Sequence, residues 1–212
     1  MQFKTFKSVF AVALLCWAGL ASADPLWDAI EDLQHGWAKG YYSTPEKLQE
    51  GYFDALQSKA HQVSAKFPGR AEPLIWEGII TSTHAKYQSL FSAGGTAKAA
   101  RDLLLAAEKI DANALEGSAL TSLGSLYYKV PRFGSFGDYD KAREYLERAL
   151  KVNPTGIDQN FFYGEFLGER GEKAKAMEYL KKALAAPARS GREDADSGRH
   201  AEIQQLLEKL AK

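Results

Sequence analysis

Two stretches of this chain repeat each other at a spacing of 34 residues. Residues 137–150 recur as residues 171–184, with a glycine and an acidic residue, an alanine, a Tyr-Leu pair and an Ala-Leu pair at matching places. A repeat of this length holds two helices joined by a turn, and each unit buries its apolar face only against its neighbours. The repeat therefore predicts an all-α solenoid of antiparallel helix pairs, whose product is a concave surface rather than a catalytic pocket.

The signature residues of these stretches resemble those of the tetratricopeptide repeat. That repeat carries a large residue, a Leu, a Gly and an aromatic residue on its first helix, and its second helix carries small residues around a large one before a closing Pro. The middle unit fits best, on Leu120, Leu123, Gly124 and Tyr127 and then on Gly137, Ala142, Leu146, Ala149 and Pro154. The third unit keeps Gly164, Gly171, Ala176, Leu180, Ala183 and Pro187.

The first unit fits the signature less well. We expect Trp76 and Ile79 to begin it, with Ile80 and Thr83 in the places of the glycine and the aromatic residue. Its second helix is expected to start at Gly95, after a short loop over residues 91–95.

The chain divides into four predicted parts. They are a signal peptide over residues 1–23, an N-terminal helical hairpin over 24–69, three tetratricopeptide-like repeats over 70–187, and a loop with a capping helix over 188–212. In the hairpin, the apolar stripe of the first helix is expected on Trp27, Ile30, Leu33 or Gln34, and Trp37. The second helix is expected to begin after a Ser43 or Thr44 cap, with its stripe on Leu48, Tyr52, Leu56, Ala60 and Val63.

Residues 1–23 have the three parts of a secretory signal, namely lysines, an apolar run and a final Ala-Ser-Ala. We expect cleavage after Ala23, a periplasmic mature protein and no membrane insertion after cleavage. A retained anchor is the alternative, although the apolar run is shorter than a membrane span requires. Leu15 precedes Cys16, where a lipoprotein signal needs a small residue, so lipidation is not expected.

The composition excludes several classes of function. Removal of Lys4 and Lys7 lowers the basic count from 27 to 25 against 27 acidic residues, so no nucleic-acid partner is expected. The four histidines are scattered in the sequence, without the spacing of a metal site. No nucleophile motif or phosphate-binding loop is present, so we expect no catalytic residue, metal or cofactor.

The concave face is the predicted binding surface. By the expected register, the groove residues are Glu77, Thr81 and His84 in the first repeat, Thr121, Ser125 and Tyr128 in the second, and Phe161 and Glu165 in the third. This mixture suits a partly polar and partly apolar ligand. The alternative is that hydroxyl groups are merely tolerated on solvated helices.

Two departures from the repeat also mark candidate binding residues. The middle repeat carries extra residues between its helices, over 130–136, including Arg132 and Phe133; inserted loops often lie on the binding side. The alternative is that Phe133 and Phe136 pack this loop onto the helices. In the third repeat Asn160 replaces a large apolar residue, and its amide needs partners from the Arg132 loop or from a ligand.

Three segments resemble the T component associated with tripartite ATP-independent periplasmic (TRAP) transporters. They are residues 122–131, the Phe-Gly-Asp of 136–138 and the Gly-Ile-Asp-x-Asn-Phe-Phe-Tyr-Gly of 156–164. The resemblance implies a helical solenoid with an apolar-lined pore or pocket, and it places oligomers and transporter subunits among the expected partners. The leading hypothesis is a non-enzymatic periplasmic scaffold for a protein or peptide on the concave face. The alternative is a binding protein for an apolar or amphipathic small molecule, associated with a TRAP-type transporter.

Overall fold

The computed structural model describes residues 24–212, so the predicted signal peptide lies outside the described residues. Over this range the chain forms nine α-helices and one π-helical turn, Lys39–Ser43, and no strand. The helices are α1 Pro25–Ala38, α2 Glu46–Lys66, α3 Ala71–Tyr87, α4 Leu90–Ile110, α5 Ala114–Lys129, α6 Tyr139–Val152, α7 Ile157–Glu169, α8 Lys173–Leu184 and α9 Glu193–Ala211. None of the described helices combines the length and the apolar character that a membrane span requires.

Six of these helices form three hairpins, α3 with α4, α5 with α6 and α7 with α8. In each hairpin a glycine of the first helix faces a leucine of the second. The pairs are Gly78 and Leu104, Gly124 and Leu146, and Gly164 and Leu180. A Cβ atom at these glycines would lie 2.7, 2.5 and 2.9 Å from the leucine Cγ, so only glycine permits this close approach. The predicted fold class, an all-α solenoid of antiparallel helix pairs, is confirmed.

The first repeat has a different register from the one expected. Gly78, and not Ile80, occupies the helix crossing, so each signature position lies two residues earlier than predicted. The sequence predicts Trp76 as the large residue that opens the signature, whereas Leu74 has that place in the structure, four residues before Gly78. The aromatic place falls on Thr81, which is fully buried.

Helix α4 begins earlier than predicted. Residues 91–95 were expected to form a loop, and the structure places them in the first turns of α4, which begins at Leu90. A Cβ atom at Gly94 or Gly95 would meet nothing within 4 Å, so both glycines lie where no other part of the chain packs against the helix. The later turns bury Ala97, Ala100, Leu104 and Ala107. That packing outweighs the helix penalty of two glycines, about 1 kcal/mol each.

The N-terminal hairpin is present, but the buried faces of its two helices differ from the predicted apolar stripes. Helix α1 buries Leu26 in place of Trp27, which is 47% exposed. Helix α2 buries Gln49, Phe53, Leu56 and Ala60, whereas the predicted Leu48 is 55% exposed. Neither predicted cap is correct, because Pro45 is the N-cap of α2, Ser43 ends the π-helical turn, and Thr44 is the C-cap of that turn.

Helix α9 has two roles along its length. Its second half caps the solenoid, with Ile203 buried and its leucines packed against α7 and α8. Its first half reaches the N-terminal hairpin. His35 Nδ1 lies 3.0 Å from Asp194 Oδ2, and the Tyr42 hydroxyl donates to Glu202 at 3.0 Å. Residues 188–199 were predicted to be a surface loop, but α9 begins at Glu193, and its contacts join the two ends of the solenoid.

Candidate functional site

A cavity of about 730 Å³ lies on the concave side of the solenoid. Helices α3, α5 and α7 form its floor, and residues of α1, the start of α4, the connection between α5 and α6, and α9 surround it. Because α9 contacts both α1 and α7, it converts an open groove into a partly enclosed chamber. The volume falls within the range of about 300 to 1,000 Å³ that is typical of small-molecule sites.

Large apolar and aromatic side chains form much of the wall. Trp37, Trp76, Ile79, Phe161 and Phe162 line it. The indole nitrogen of Trp37 donates to the Thr83 hydroxyl at 2.9 Å, which fixes the ring at one end of the cavity.

The mouth of the cavity is also apolar. The residues of this lip are Leu90 and Phe133, with Phe91 adjacent, and they are 94%, 99% and 100% exposed. Phe136 packs instead against the Tyr127 ring, with centroids 5.7 Å apart. The two phenylalanines that sequence reasoning treated together therefore differ, since only Phe136 holds the loop onto the helices.

Charged residues lining the cavity are mostly basic. The basic ones are Lys86, Lys98, Lys129, Arg189, Arg192 and Arg199, and the acidic ones are Asp158, Glu165 and Glu202. Each of the three carboxylates already has a cationic partner within the protein. The uncompensated charge that faces the cavity is therefore positive.

An ion-pair network at the start of α9 holds the wall in place. Asp158 Oδ1 accepts from Arg199 Nε at 2.9 Å and Asp158 Oδ2 accepts from Arg189 Nη1 at 2.7 Å. Arg189 also donates to Asp196 at 2.7 Å, and Arg199 to Glu202 at 2.6 Å. Burial opposes the charged carboxylate, but the two guanidinium groups prevail and hold the pKa of Asp158 well below its usual range.

A second polar cluster lies on the floor. The Tyr128 hydroxyl donates to Glu165 Oε2 at 2.5 Å, and Lys129 Nζ lies 2.8 Å from the same oxygen. Burial, together with the Glu165 charge, raises the pKa of Tyr128 well above its usual value, so the phenol stays protonated. Tyr128 lies behind the wall and orients Glu165, which itself faces the cavity.

The structure brings five of the predicted site residues to the cavity. They are Thr121, Ser125, Phe133, Phe161 and Glu165. Thr121 is nearly fully buried and bonds to the Gly117 carbonyl oxygen at 3.2 Å, so its methyl and hydroxyl groups form part of the floor.

The three predicted residues of the first repeat do not line the cavity. Glu77 bonds to His61 of α2 at 2.9 Å, and His84 bonds to Gln57 of α2 at 2.6 Å. Thr81 is fully buried. The expectation for all three is wrong because of the two-residue shift in register, which puts Ile79 at the position of Ser125 and Glu165.

Arg132 and Asn160 also lie away from the cavity. The guanidinium group of Arg132 lies 4.9 Å from the centre of the Tyr139 ring. The Asn160 amide donates to the carbonyl oxygens of Pro154 and Gly156, at 2.9 and 2.8 Å, so it holds the turn before α7. The local turn, and not the Arg132 loop, accepts from the amide nitrogen, whereas the buried side-chain oxygen Oδ1 has no partner among the described residues.

Sequence reasoning missed the arginines of α9. Arg192 is the N-cap residue of α9, and Arg199 lies within the helix. Three acidic residues lie at the start of the helix, a pattern typical of a helix N-terminus that could have indicated where α9 begins. Among the described residues, no group of three or more His, Cys, Asp or Glu side chains is arranged to hold a metal ion.

Comparison with known proteins finds the same kind of repeat. The family model of the tetratricopeptide repeat matches residues 133–155, the end of the connection before α6 and α6 itself. Among eleven matching chains of known structure is a thermophilic TPR protein of Thermus thermophilus, with 14% identity, a TM-score of 0.45, and coverage of 85% of this chain and 100% of that one. No curated protein matches the chain. None of these comparisons supports the resemblance to the TRAP T component. What they do establish is a tetratricopeptide repeat at residues 133–155, where the sequence signature fits best.

Proposed function

We propose that this protein is a non-enzymatic binding module that holds a compact amphipathic ligand in the cavity beside α9. Tetratricopeptide solenoids present concave binding surfaces, and here α9 closes part of that surface. A helix or extended peptide lying along the groove would need the face that α9 covers. This closure favours a small molecule, or the end of a chain, over a long partner segment.

The lining supports the same proposal. Apolar rings cover the inner wall, while hydroxyl groups of α5, including Ser122 and Ser125, and basic groups of α9 add polar contacts. Mostly apolar walls with a few convergent polar groups are typical of ligand pockets.

A substitution that fills part of the cavity with a larger side chain tests this proposal. Ser122 has the same repeat position as Trp76 and Phe162, so the backbone there accepts a large aromatic residue. Ser122→Phe should narrow the cavity and remove a ligand that co-purifies with the wild type in native mass spectrometry. Ser58→Phe on the exposed side of α2 is the matched control and should keep the ligand. An identical ligand load in both variants would refute the proposal.

A protein partner is the second candidate, and the exposed lip of the cavity favours it. Leu90, Phe91 and Phe133 place three large apolar side chains in solvent near one opening. Exposed apolar clusters mark interaction sites more often than isolated residues do. Subunits of a TRAP-type transporter, and a second copy of the chain, are the first partners to test.

A variant in which Leu90, Phe91 and Phe133 are all changed tests this second candidate. Replacing all three residues with Ser should abolish co-purification of a stoichiometric partner, because the contact area becomes polar. Leu48→Ser removes an exposed leucine on α2 and should leave the complex intact. Equal recovery of the partner with both variants argues against docking at the lip.

Export to the periplasm is part of the proposal and rests on residues 1–23. When the full chain is produced in a Gram-negative host, we expect the periplasmic fraction to contain a protein that begins at Asp24. N-terminal sequencing measures the cleavage site directly. A cytoplasmic protein that retains residues 1–23 would contradict export.

A further inference from the structure

This inference deepens the proposed function and rests on it. The cations that face the cavity differ in their partners. Arg189 and Arg199 are bound to Asp158, and Lys129 is bound to Glu165. Lys86 donates to the Tyr41 hydroxyl at 3.1 Å. Within residues 24–212, Lys86, Lys98 and Arg192 have no carboxylate within 4.0 Å.

Arg192 is the least satisfied of these cations. Its guanidinium carbon lies 5.2 Å from the centre of the Trp76 ring. Its Nε atom is buried and has no hydrogen-bond partner among the described residues. The indole nitrogen of Trp76, in the same corner of the cavity, is also buried and unpaired within that range. Two buried N–H donors without acceptors, Arg192 Nε and Trp76 Nε1, are costly, so this corner lacks a group that accepts hydrogen bonds.

The nearest acidic side chains do not supply that group. Asp158 is shared by Arg189 and Arg199, Asp196 is bound by Arg189, and Asp194 is bound by His35. Burial and the neighbouring Arg189 lower the pKa of Arg192, which agrees with a guanidinium group that has no counter-ion of its own.

We propose that the cavity binds an organic anion, with its acidic group against Arg192 and its apolar body along the aromatic wall. Carboxylates match a guanidinium group in shape and charge, and such pairs form the stronger hydrogen bonds of proteins. Trp76 lies beside Arg192, and Phe161 and Phe162 of α7 also line the cavity, with the Arg199 guanidinium group 4.3 and 4.8 Å from their ring centres. The terminal nitrogens of Arg192 are the atoms that would meet the ligand.

Two sources supply this chemistry, a free organic acid and the C-terminal carboxylate of a peptide with an apolar end. Both combine one anionic group with an apolar body. They differ in whether binding requires a peptide backbone, so the experiment contains an arm for each.

The test is isothermal titration of the mature chain with decanoate, decanol and decyltrimethylammonium. The three probes share an apolar tail and differ in charge. We expect decanoate to bind about tenfold more tightly than decanol, and decyltrimethylammonium to bind most weakly. Raising the salt concentration should weaken decanoate binding and leave decanol binding unchanged.

Variants of the arginine locate the anion site. Arg192→Gln should reduce decanoate binding to the level of decanol, and Arg192→Lys should recover part of the difference. Arg170→Gln is the matched control, because Arg170 also lies over an aromatic ring, 4.4 Å from the centre of Tyr139, but outside the cavity. Its affinities should equal those of the wild type. Thermal unfolding of each variant checks that it is folded, and the Lys variant keeps the test valid if the Gln variant unfolds.

Each outcome has one meaning. Equal affinities for decanoate and decanol would refute the anion site, while the proposal that the cavity binds a ligand would still hold. If none of the three probes binds, the proposal that the cavity binds a ligand is refuted, and the anion site is refuted with it. If decanoate binds, a short peptide ending in Leu separates the two sources. A free-carboxylate peptide that binds while its C-terminal amide does not indicates a chain end, and failure of both peptides indicates a free acid.

Discussion

The helix hairpins and the closure by α9 are held by different forces. In the hairpins, a glycine such as Gly124 lies directly against a buried leucine, with no room for another atom. The closure also depends on polar contacts, between His35 and Asp194, Tyr42 and Glu202, and Asp158 and the arginines. Close packing fails when volume changes, whereas polar contacts fail when charge changes. The two regions are therefore expected to respond to different substitutions.

The largest effect is expected in the hairpins. Gly124→Ala would place a Cβ atom 2.5 Å from Leu146 Cγ and 3.2 Å from the Ala142 carbonyl oxygen, so the helices must separate. We expect the free energy of unfolding in urea to fall by about 2 kcal/mol. Gly51→Ala on α2 is the control, since its Cβ meets nothing within 4 Å. It should raise stability by up to about 1 kcal/mol, and equal effects would contradict the packing argument.

The next effect is expected in the closure. Arg199→Met removes the cation shared by Asp158 and Glu202 while keeping an apolar stem against Phe161. The closed arrangement should lose about 1 to 2 kcal/mol, because hydrogen bonds to charged groups are lost. Hydrogen exchange should accelerate in residues 189–202 and stay unchanged in α5 and α6. Uniform acceleration in all helices would show that closure and hairpins are one unit.

The hairpins could be predicted from the sequence where local spacing fixes them. Gly124 and Leu146 match the repeat signature directly, and their contact follows. The first repeat was misplaced because Trp76 is a large residue near the expected position, and a single sequence cannot distinguish it from Leu74. Only the packing of Gly78 on Leu104 determines the register. That error alone put Glu77, Thr81 and His84 into the predicted site, although none of them lines the cavity.

The closure could not be predicted, because its contacts are distant in sequence. His35 and Asp194 are 159 residues apart, and Tyr42 and Glu202 are 160 apart. Gly191 and Gly198 suggested a loop, yet Gly198 packs beneath the Tyr42 ring, where a Cβ would lie only 2.5 Å from ring carbons. A glycine that reads locally as a helix breaker is here a point of close tertiary contact.

Acid should open the closure before it unfolds the hairpins. The pKa of Asp158 is lower in the folded protein than in the unfolded chain, where it is about 4. Its ion pairs therefore stabilise the closure above that value, and this contribution is lost as the pH falls through the lower pKa of the folded state. Hydrogen exchange in α9 at decreasing pH measures the loss. Asp158→Asn removes the titrating group, so an unchanged acid transition in this variant would exclude Asp158 as its cause.

The smallest effect is expected in the first turn of α9, where Asp194 contacts His35. The hydrogen bond to Asp194 raises the pKa of His35 against a small opposing effect of burial. Protonated His35 therefore favours the closure below the unfolded pKa of about 6.5, and this contribution disappears as the pH rises through the higher folded value. Both side chains are over 40% exposed, so the effect should stay below about 0.5 kcal/mol. An NMR titration of His35 measures the pKa, and Asp194→Asn should return it toward the ordinary value.

The pH dependence of the His35 contact runs opposite to that of the Asp158 ion pairs. The closure should therefore be most stable between the two transitions, and a steady gain in closure up to about pH 8 would contradict the assigned contact.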